Sequence, residues 1–411
     1  MGPPIDRCSG EDSKMQLTTN VAVDRAAAVL IGMSLVAVFV LPSQSAASFP
    51  TYLLALTVLL GGRVSLNSLS ASPWLALSMA ALLLYFAASV LWSDASSGRS
   101  VASTYSRCLL IATFVAGAAT SLRFVPFMSW LCRAMTIGAG GAALAALIAW
   151  QLHPNWDGRL VGLGQLRSSV TAAMSFAAAL MFALDVALND TRLWRLGGIA
   201  SVLALVAAIL ATGSRDGYLA ATVGAGSLAA LTCRIRLTTS LLGLFMLVAA
   251  IAATMSIPEW RAVAWPRGDS FRSAIWAAEW QNLNATNLWF GRGILTPDEV
   301  VIGTETFAHP HSLYLASALQ GGLVGLVLLL AVLTYAGGIL MRAVAQRSAR
   351  LGVALLVTGA TAYVFDGWEL IDKVSVSWLA IWLPVAIAIA VSAGAVAGAA
   401  TLRVCPNVER S

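Results

Sequence analysis

The sequence of 411 residues is poor in charged residues, in histidine and in cysteine. Charged residues make up only 11% of it, whereas a soluble domain carries about 25%, so the composition excludes a soluble enzyme and a disordered chain. The five cysteines form no CxxC motif, so nothing in their spacing indicates a disulfide framework or a metal site. Almost all basic residues are arginines, which make bidentate contacts with phosphate.

Long apolar segments replace the missing charge. Hydrophobic residues make up 59% of the chain, and the mean hydropathy is +0.81. A transmembrane helix needs about 20 mostly apolar residues, and the apolar runs are continuous rather than alternating, which favours helices over a closed barrel. The sequence therefore predicts an all-α polytopic membrane protein with about twelve transmembrane helices, at residues 26–42, 47–62, 73–92, 104–121, 134–152, 170–188, 196–212, 217–233, 239–257, 311–336, 351–367 and 374–400.

The positions of the arginines predict the orientation of these helices. With the N-terminus in the cytoplasm, most basic residues fall in short inner segments, as the positive-inside rule requires. This orientation also places the C-terminus in the cytoplasm. The chain then reads as a cytoplasmic tail, nine helices, one long outer loop, three helices and a second cytoplasmic tail, at residues 1–25, 26–257, 258–310, 311–400 and 401–411.

The long outer loop is predicted to contain one short amphipathic helix. Asp269 or Ser270 is suited to cap it, and we expect its apolar face to rest on the outer membrane surface. That face would consist of Phe271, Ile275, Ala278 and Leu283.

Three polar segments are predicted to meet at the outer membrane surface. Arg215 lies in the turn TGSRDGYLA, Arg272 in the loop segment DSFRSAIW, and His311 in AHPHSLYL. Taken singly, each has an ordinary explanation as a snorkelling charge, a solvated helix face or an interfacial histidine. Together they suit a substrate with a phosphate-rich head group and a hydroxyl that must lose a proton. Pro310 suits the first turn of a helix, which would place His311 on that turn and near a helix N-terminus that disfavours its charged form.

The order of these segments resembles the O-antigen ligase and polymerase superfamily of bacterial envelope glycosyltransferases, most closely its ligase branch. The resemblance covers about residues 155–330. Its motifs are GRLVGLGQLRSS at 158–169, Ser214-Arg215, Arg272 with Trp276, NLWFGRGI at 287–294, His311 with Tyr314-Leu315, and GLVGL at 322–326. The chain departs from the family at Ser312, where Asn is usual, and at Leu288-Trp289, where a proline-led step is usual.

The resemblance implies a GT-C-like enzyme in the bacterial inner membrane with its active site on the periplasmic side. Such enzymes transfer a glycan from undecaprenyl diphosphate, and in the ligase branch the acceptor is a lipid A–core sugar in lipopolysaccharide biosynthesis. His311 would be the general base, and Arg215 and Arg272 would bind the diphosphate in a direct, inverting displacement. The implied partners are the lipid-linked donor, the lipid A–core acceptor and membrane lipids, without nucleic acid, cofactor or metal.

Further residues are candidates of lower rank. Contacts to the diphosphate or the glycan are predicted for Arg159, Arg292, His309, Tyr314 and Trp276. The acidic residues Asp366, Glu369 and Asp372 could hold a metal or supply the base, or could be a solvated loop or partners of an arginine.

The motifs do not distinguish the ligase from several alternative functions. An O-antigen polymerase or a protein O-oligosaccharyltransferase would use the same donor with another acceptor. A membrane transporter is the alternative from a different class, and it would place its charges at the bilayer midplane.

Overall fold

A computed structural model describes residues 9–60, 69–94, 101–122, 125–153, 158–233, 271–285 and 287–404, and this part of the chain is predominantly helical. The helices are α1 Ser9–Val40, α2 Gln44–Ala47, α3 Phe49–Leu60, α4 Pro73–Ala88, α5 Val101–Ser121, α6 Val125–Leu152, α7 Ser169–Asn189, α8 Arg192–Thr212, α9 Arg215–Thr232, α10 Arg272–Ala285, α11 Leu313–Arg342, α12 Arg347–Phe365 and α13 Leu383–Val404. A 3₁₀ turn, Ser89–Trp92, extends α4, and a π turn, Trp378–Trp382, precedes α13. The strands β1 Val300–Ile302 and β2 Glu305–Phe307 form one antiparallel hairpin.

The helices confirm a multi-pass membrane protein. Seven helices in the described ranges are long and apolar enough to cross a membrane, namely α4 with its 3₁₀ extension, α5, α6, α7, α8, α11 and α12. Two shorter apolar helices cover residues 25–40 and 378–394. A helix is present at every predicted span except 239–257, which lies outside the described residues. The number of twelve spans therefore stays a prediction.

Helix α7 lies at the centre of the bundle. It is the most enclosed of the candidate spans, and it packs against α6, α8, α9 and α12. Its sequence is rich in alanine, and small residues let neighbouring helices approach closely. Helix α9 packs against α7 through Gly217 and Ala173, and against α12 through Gly224 and Thr358. The first residues of α9 are thereby held between two central helices.

Helix α11 is interrupted at Gly322. This glycine has φ 63° and ψ −168°, a conformation that is open essentially to glycine alone. The segment 288–293 covers the interruption, because Arg292 N–H donates to the Leu319 carbonyl at 2.8 Å and Leu323 N–H donates to the Leu288 carbonyl at 2.9 Å. The Tyr85 hydroxyl donates to the Gly321 carbonyl at 2.7 Å. Backbone groups released by the break are therefore satisfied, as membrane depth requires.

The interruption divides α11 into two parts of different length. The lower part, residues 323–342, is about 30 Å long at about 1.5 Å per residue, which is enough to cross the hydrocarbon core alone. The upper part, residues 313–321, is not needed to reach that length.

Helix α10 is the helix predicted in the long outer loop, but its position differs from the prediction. Ile275, Glu279 and Leu283 are fully buried, and Leu283 packs against Ala318 and Leu319 in the upper part of α11. The apolar face is thus covered by protein rather than by the membrane surface, and it includes a carboxylate. Phe271, which was predicted to belong to that face, is exposed.

Candidate active site

The turn that carries Arg215 is fixed by its backbone. Gly213 ends α8 in the left-handed conformation with φ 61°, and Ser214 is extended before α9 begins at Arg215. Asp216, in the first turn of α9, is 5% exposed. Arg215 and Asp216 therefore stand at a rigid helix start, as the TGSRDG sequence suggests.

Arg159 reaches the same turn from the loop before α7. Its Nε donates to the Thr212 carbonyl at 2.5 Å, and Leu160 N–H donates to the Ala211 carbonyl at 3.0 Å. The structure therefore brings Arg159 beside the turn that carries Arg215. Its predicted phosphate contact stays a prediction.

Arg272 joins this group through an ion pair with Asp216. Its Nη2 lies 2.6 Å from Asp216 Oδ2, and its Nη1 lies 3.4 Å from Oδ1. This bidentate geometry is the strong form of an arginine–carboxylate pair. Arg215 and Asp366 also exert electrostatic effects on the Asp216 carboxylate. The start of α10 is thus tied to the start of α9, and two of the predicted catalytic segments meet.

His311 lies just before α11 rather than on its first turn. Ser312 is the N-cap, with its side chain accepting from Leu315 N–H at 3.5 Å, so the prediction that Pro310 and His311 belong to the first turn is wrong. Serine and asparagine are both favoured N-cap residues. His311 itself has φ 51°, a strained conformation that is found mostly at functional sites.

Trp276 connects the arginine segment to the histidine segment. It lies one helical turn after Arg272 in α10, and its Nε1 donates to the Pro310 carbonyl at 3.0 Å. The ring also stacks near Phe365 at the end of α12, with ring centroids 6.4 Å apart. One short helix therefore positions Arg272 and the loop of His311.

The side chain of His311 is oriented by a carboxylate. Its Nδ1 lies 3.0 Å from Asp366 Oδ1. When this nitrogen donates its proton to Asp366, Nε2 presents the lone pair of a base. Burial raises the pKa of Asp366, but the hydrogen bond from His311 and the nearby His311 and His309 lower it by more, so its pKa lies below the ordinary value and the carboxylate is ionised.

His309 supports His311 from the other side. The two imidazole centroids are 4.1 Å apart, and the Trp368 ring stacks on His309 at 5.6 Å and 6°. His311 N–H donates to His309 Nδ1 at 3.4 Å. Burial, together with the neighbouring His311, lowers the pKa of His309 to about 4. His309 is therefore neutral near pH 7 and unsuited to binding phosphate through charge.

The acidic residues after α12 are enclosed rather than solvated. Arg107 Nη1 lies 3.6 Å from Glu369 Oε1 and 3.7 Å from Asp372 Oδ1, which confirms the alternative in which these carboxylates are partners of an arginine. His309, His311 and Asp366 offer ligand atoms within 4.8 Å of one another and are the described residues that could hold a metal ion. The metal-free reaction stays a prediction.

Two predicted substrate contacts have other partners in the structure. Arg292 Nη2 lies 3.5 Å from buried Glu279 and 3.8 Å from Asp298, in a polar cluster beside the break in α11. The Tyr314 hydroxyl donates to the Ala360 carbonyl at 3.0 Å. These contacts favour structural roles over substrate binding for both residues.

Three pairings were not predicted from the sequence. Asp216 holds Arg272, Asp366 orients His311, and Glu279 is buried against Arg292. The pairing of Asp216 could have been predicted, because this residue follows Arg215 in a short turn between two apolar segments, where an ionised carboxylate needs a partner.

Comparisons with known proteins bear on the function. The family model described as O-antigen ligase matches residues 199–330, a range that contains Arg215, Arg272 and His311. A curated O-antigen ligase of Pseudomonas aeruginosa is 28% identical over 325 residues, which cover 78% of each chain. The chain is therefore similar in sequence to O-antigen ligases. This similarity supports a ligase role, and the two arginines and the histidine lie in the matched region.

Proposed function

We propose that the protein is an O-antigen ligase that transfers a glycan from undecaprenyl diphosphate to a sugar hydroxyl of lipid A–core. The single observation that carries this proposal is the pairing of His311 with Asp366 beside the Arg272–Asp216 pair, both held by α10. A base and phosphate-binding groups in one place are what glycosyl transfer from a diphosphate requires.

His311 acts as the general base. Its Nε2 takes the proton of the acceptor hydroxyl while that oxygen forms a bond to the anomeric carbon of the donor. The bond between the anomeric carbon and the diphosphate oxygen breaks, its electron pair leaves with undecaprenyl diphosphate, and the configuration inverts. General-base assistance of this kind is worth about 10²–10⁴-fold in rate.

Arg215 and Arg272 stabilise the negative charge that develops on the leaving diphosphate. A guanidinium has five N–H donors. Arg272 donates two of these N–H groups to Asp216. The guanidinium is therefore already oriented, and its remaining N–H groups donate to the phosphate oxygens. Arg159 lies at the same turn and extends this cationic group.

The arrangement of charge supports a periplasmic site in the inner membrane. Arg133 and Arg347 lie at the opposite end of the bundle, paired with Asp190 and Asp185. This is the end at which the positive-inside rule places the cytoplasm, and both termini lie on that side in the proposed topology.

The test is transfer by the purified protein in detergent, with an undecaprenyl-diphosphate glycan and lipid A–core as the two substrates. We expect transfer without any ion gradient and in excess EDTA. His311→Ala should lower the rate by about 10²–10⁴-fold with nearly unchanged donor binding, whereas Tyr335→Phe, on the exposed side of α11, should match the wild type. Full activity of His311→Ala would remove the base assignment.

The same assay separates the alternatives. Extension of a second lipid-linked glycan instead of lipid A–core would indicate an O-antigen polymerase. A loss in EDTA that a divalent ion restores would assign a metal to His309, His311 and Asp366. Glycan movement that needs a gradient, without transfer, would indicate a transporter.

A further inference from the structure

A cleft of about 150 Å³ opens beside the His311–Asp366 pair. Its wall includes Gln44, Tyr363, Asp366, Trp368, Glu369 and Asp372. A single water molecule needs about 10–15 Å³ of such space, so the cleft has room for a polar ligand of several heavy atoms. Asp366, which hydrogen-bonds His311 Nδ1 at 3.0 Å, lines the cleft together with His309, so the cleft adjoins the proposed base without being lined by it.

One wall of the cleft carries a polar group that the described protein does not satisfy. Tyr363 is 5% exposed and lines the cleft. No hydrogen bond joins its hydroxyl to any residue in the described ranges. Because Tyr363 lines the cleft, its hydroxyl is available there to donate or accept a hydrogen bond with a ligand.

The other polar groups of the cleft are held in place from behind. Gln44 Nε2 donates to Asp372 Oδ2 at 2.9 Å, and Asp372 Oδ1 accepts from Lys373 N–H at 2.6 Å. Arg107 contacts Glu369 and Asp372 without lining the cleft. These contacts fix the carboxyl groups before any ligand enters, which lowers the cost of binding.

The charge of the cleft is opposite in sign to that of the group formed by Arg159, Arg215 and Arg272. Among the residues that the structure describes, no lysine or arginine lines it. Its carboxyl groups are those of Asp366, Glu369 and Asp372. A phosphate is repelled here, whereas the hydroxyls of a neutral sugar find carboxylate acceptors.

We propose that this cleft binds the acceptor sugar, a neutral and hydroxyl-rich ring, and presents its hydroxyl to His311. The inference rests on the proposed function and adds a division of the site into two halves. Arg159, Arg215 and Arg272 hold the donor diphosphate on one side of His311, and the cleft around Tyr363 and Glu369 holds the acceptor on the other.

The kinetic test uses Tyr363→Phe and Glu369→Gln in the purified full-length protein. Each variant should raise the KM for lipid A–core by about three- to tenfold, the loss expected for one hydrogen bond to substrate. The KM for the lipid-linked donor should stay within about twofold, and kcat at saturating acceptor should stay near the wild type for Tyr363→Phe. Tyr335→Phe is the matched control because it removes an exposed tyrosine hydroxyl from α11, outside the cleft.

A binding measurement keeps the inference separate from the proposed function. Core oligosaccharide released from lipid A is titrated calorimetrically into the protein without donor. Binding that weakens in Tyr363→Phe and Glu369→Gln would support the cleft even if the wild type transferred nothing to lipid A–core, and that second result would reject only the proposed function.

Three results would overturn the inference. The first is an acceptor KM and an oligosaccharide affinity that neither variant changes. The second is a rise in the donor KM alone, which would place the donor in the cleft. The third is Ca²⁺ or Mn²⁺ binding to the wild type that Glu369→Gln abolishes while oligosaccharide affinity is unchanged, which would make the cleft a cation site.

Discussion

At the scale of single residues, the site is defined by pairs rather than by isolated side chains. Asp216 fixes the guanidinium of Arg272, and Asp366 fixes the imidazole of His311. An oriented base and an oriented cation lose less freedom when the substrate binds, so more of the binding energy reaches the transition state. Asp366 is accordingly a positioning residue, and it acts on the reaction through His311.

The role of Asp366 predicts a specific effect of Asp366→Asn. The carboxylate is ionised near neutral pH, because the pKa of Asp366 lies below its ordinary value. Asparagine can turn its amide N–H group instead of an acceptor oxygen toward Nδ1, so the imidazole is no longer held in the orientation of a base. We expect kcat to fall, by less than the about 10²–10⁴-fold that loss of the base itself causes, with the KM values of both substrates near those of the wild type.

Glu305→Gln is the control for Asp366→Asn, because it removes an exposed carboxylate from β2. A fall in kcat accompanied by a rise in both KM values would indicate that Asp366 only supports the loop. An unchanged rate would contradict the positioning role.

At the scale of secondary structure, the sequence predicted the helices, which depend on local apolar runs. It did not predict the contacts between segments that are distant in the chain. The apolar runs predicted where the helices lie, because a membrane span must satisfy its own backbone, although α1 begins 17 residues and α6 nine residues before the predicted spans. The same runs hid the interruption at Gly322, whose backbone partners lie in residues 288–293, a separate segment of the loop. The predicted surface helix was placed wrongly for a similar reason, since buried Glu279 is compatible with protein packing but not with a lipid-facing stripe.

The interruption of α11 predicts that Gly322→Ala is strongly destabilising. A Cβ at this position would meet the Trp289 carbonyl, and alanine does not adopt φ 63° with ψ −168° without a cost of about 1–3 kcal/mol. We expect a lower unfolding temperature in detergent, followed by tryptophan fluorescence. Gly338→Ala is the matched control, because a Cβ there meets nothing within 4 Å and alanine favours a helix. Equal unfolding temperatures for the two variants would show that the break contributes no stability.

At the scale of the whole molecule, the bundle has two chemically different ends. One end brings together the starts of α9, α10 and α11 with the end of α12, and it carries the candidate active site. The other end carries the ion pairs Arg133–Asp190 and Arg347–Asp185. From the alternating direction of the helices, the sequence predicted which segments lie at the first end. It did not predict that Asp366, which comes directly after α12, contacts His311, 55 residues away along the chain.

The difference between the two ends predicts the outcome of a labelling experiment. Thr304, in the β1–β2 turn, and Ala345, between α11 and α12, are both exposed, and α11 separates them. In a cysteine-free background, Thr304→Cys should react with a membrane-impermeant maleimide in intact spheroplasts, because the active-site end faces the periplasm in the proposed topology. Ala345→Cys should react only after lysis, because the basic segment from Arg342 to Arg350 lies on the cytoplasmic side under the positive-inside rule. The reverse pattern would place His311 on the cytoplasmic side, away from a glycan displayed on undecaprenyl diphosphate at the outer face. It would contradict the proposed ligase even if the geometry of the site were unchanged.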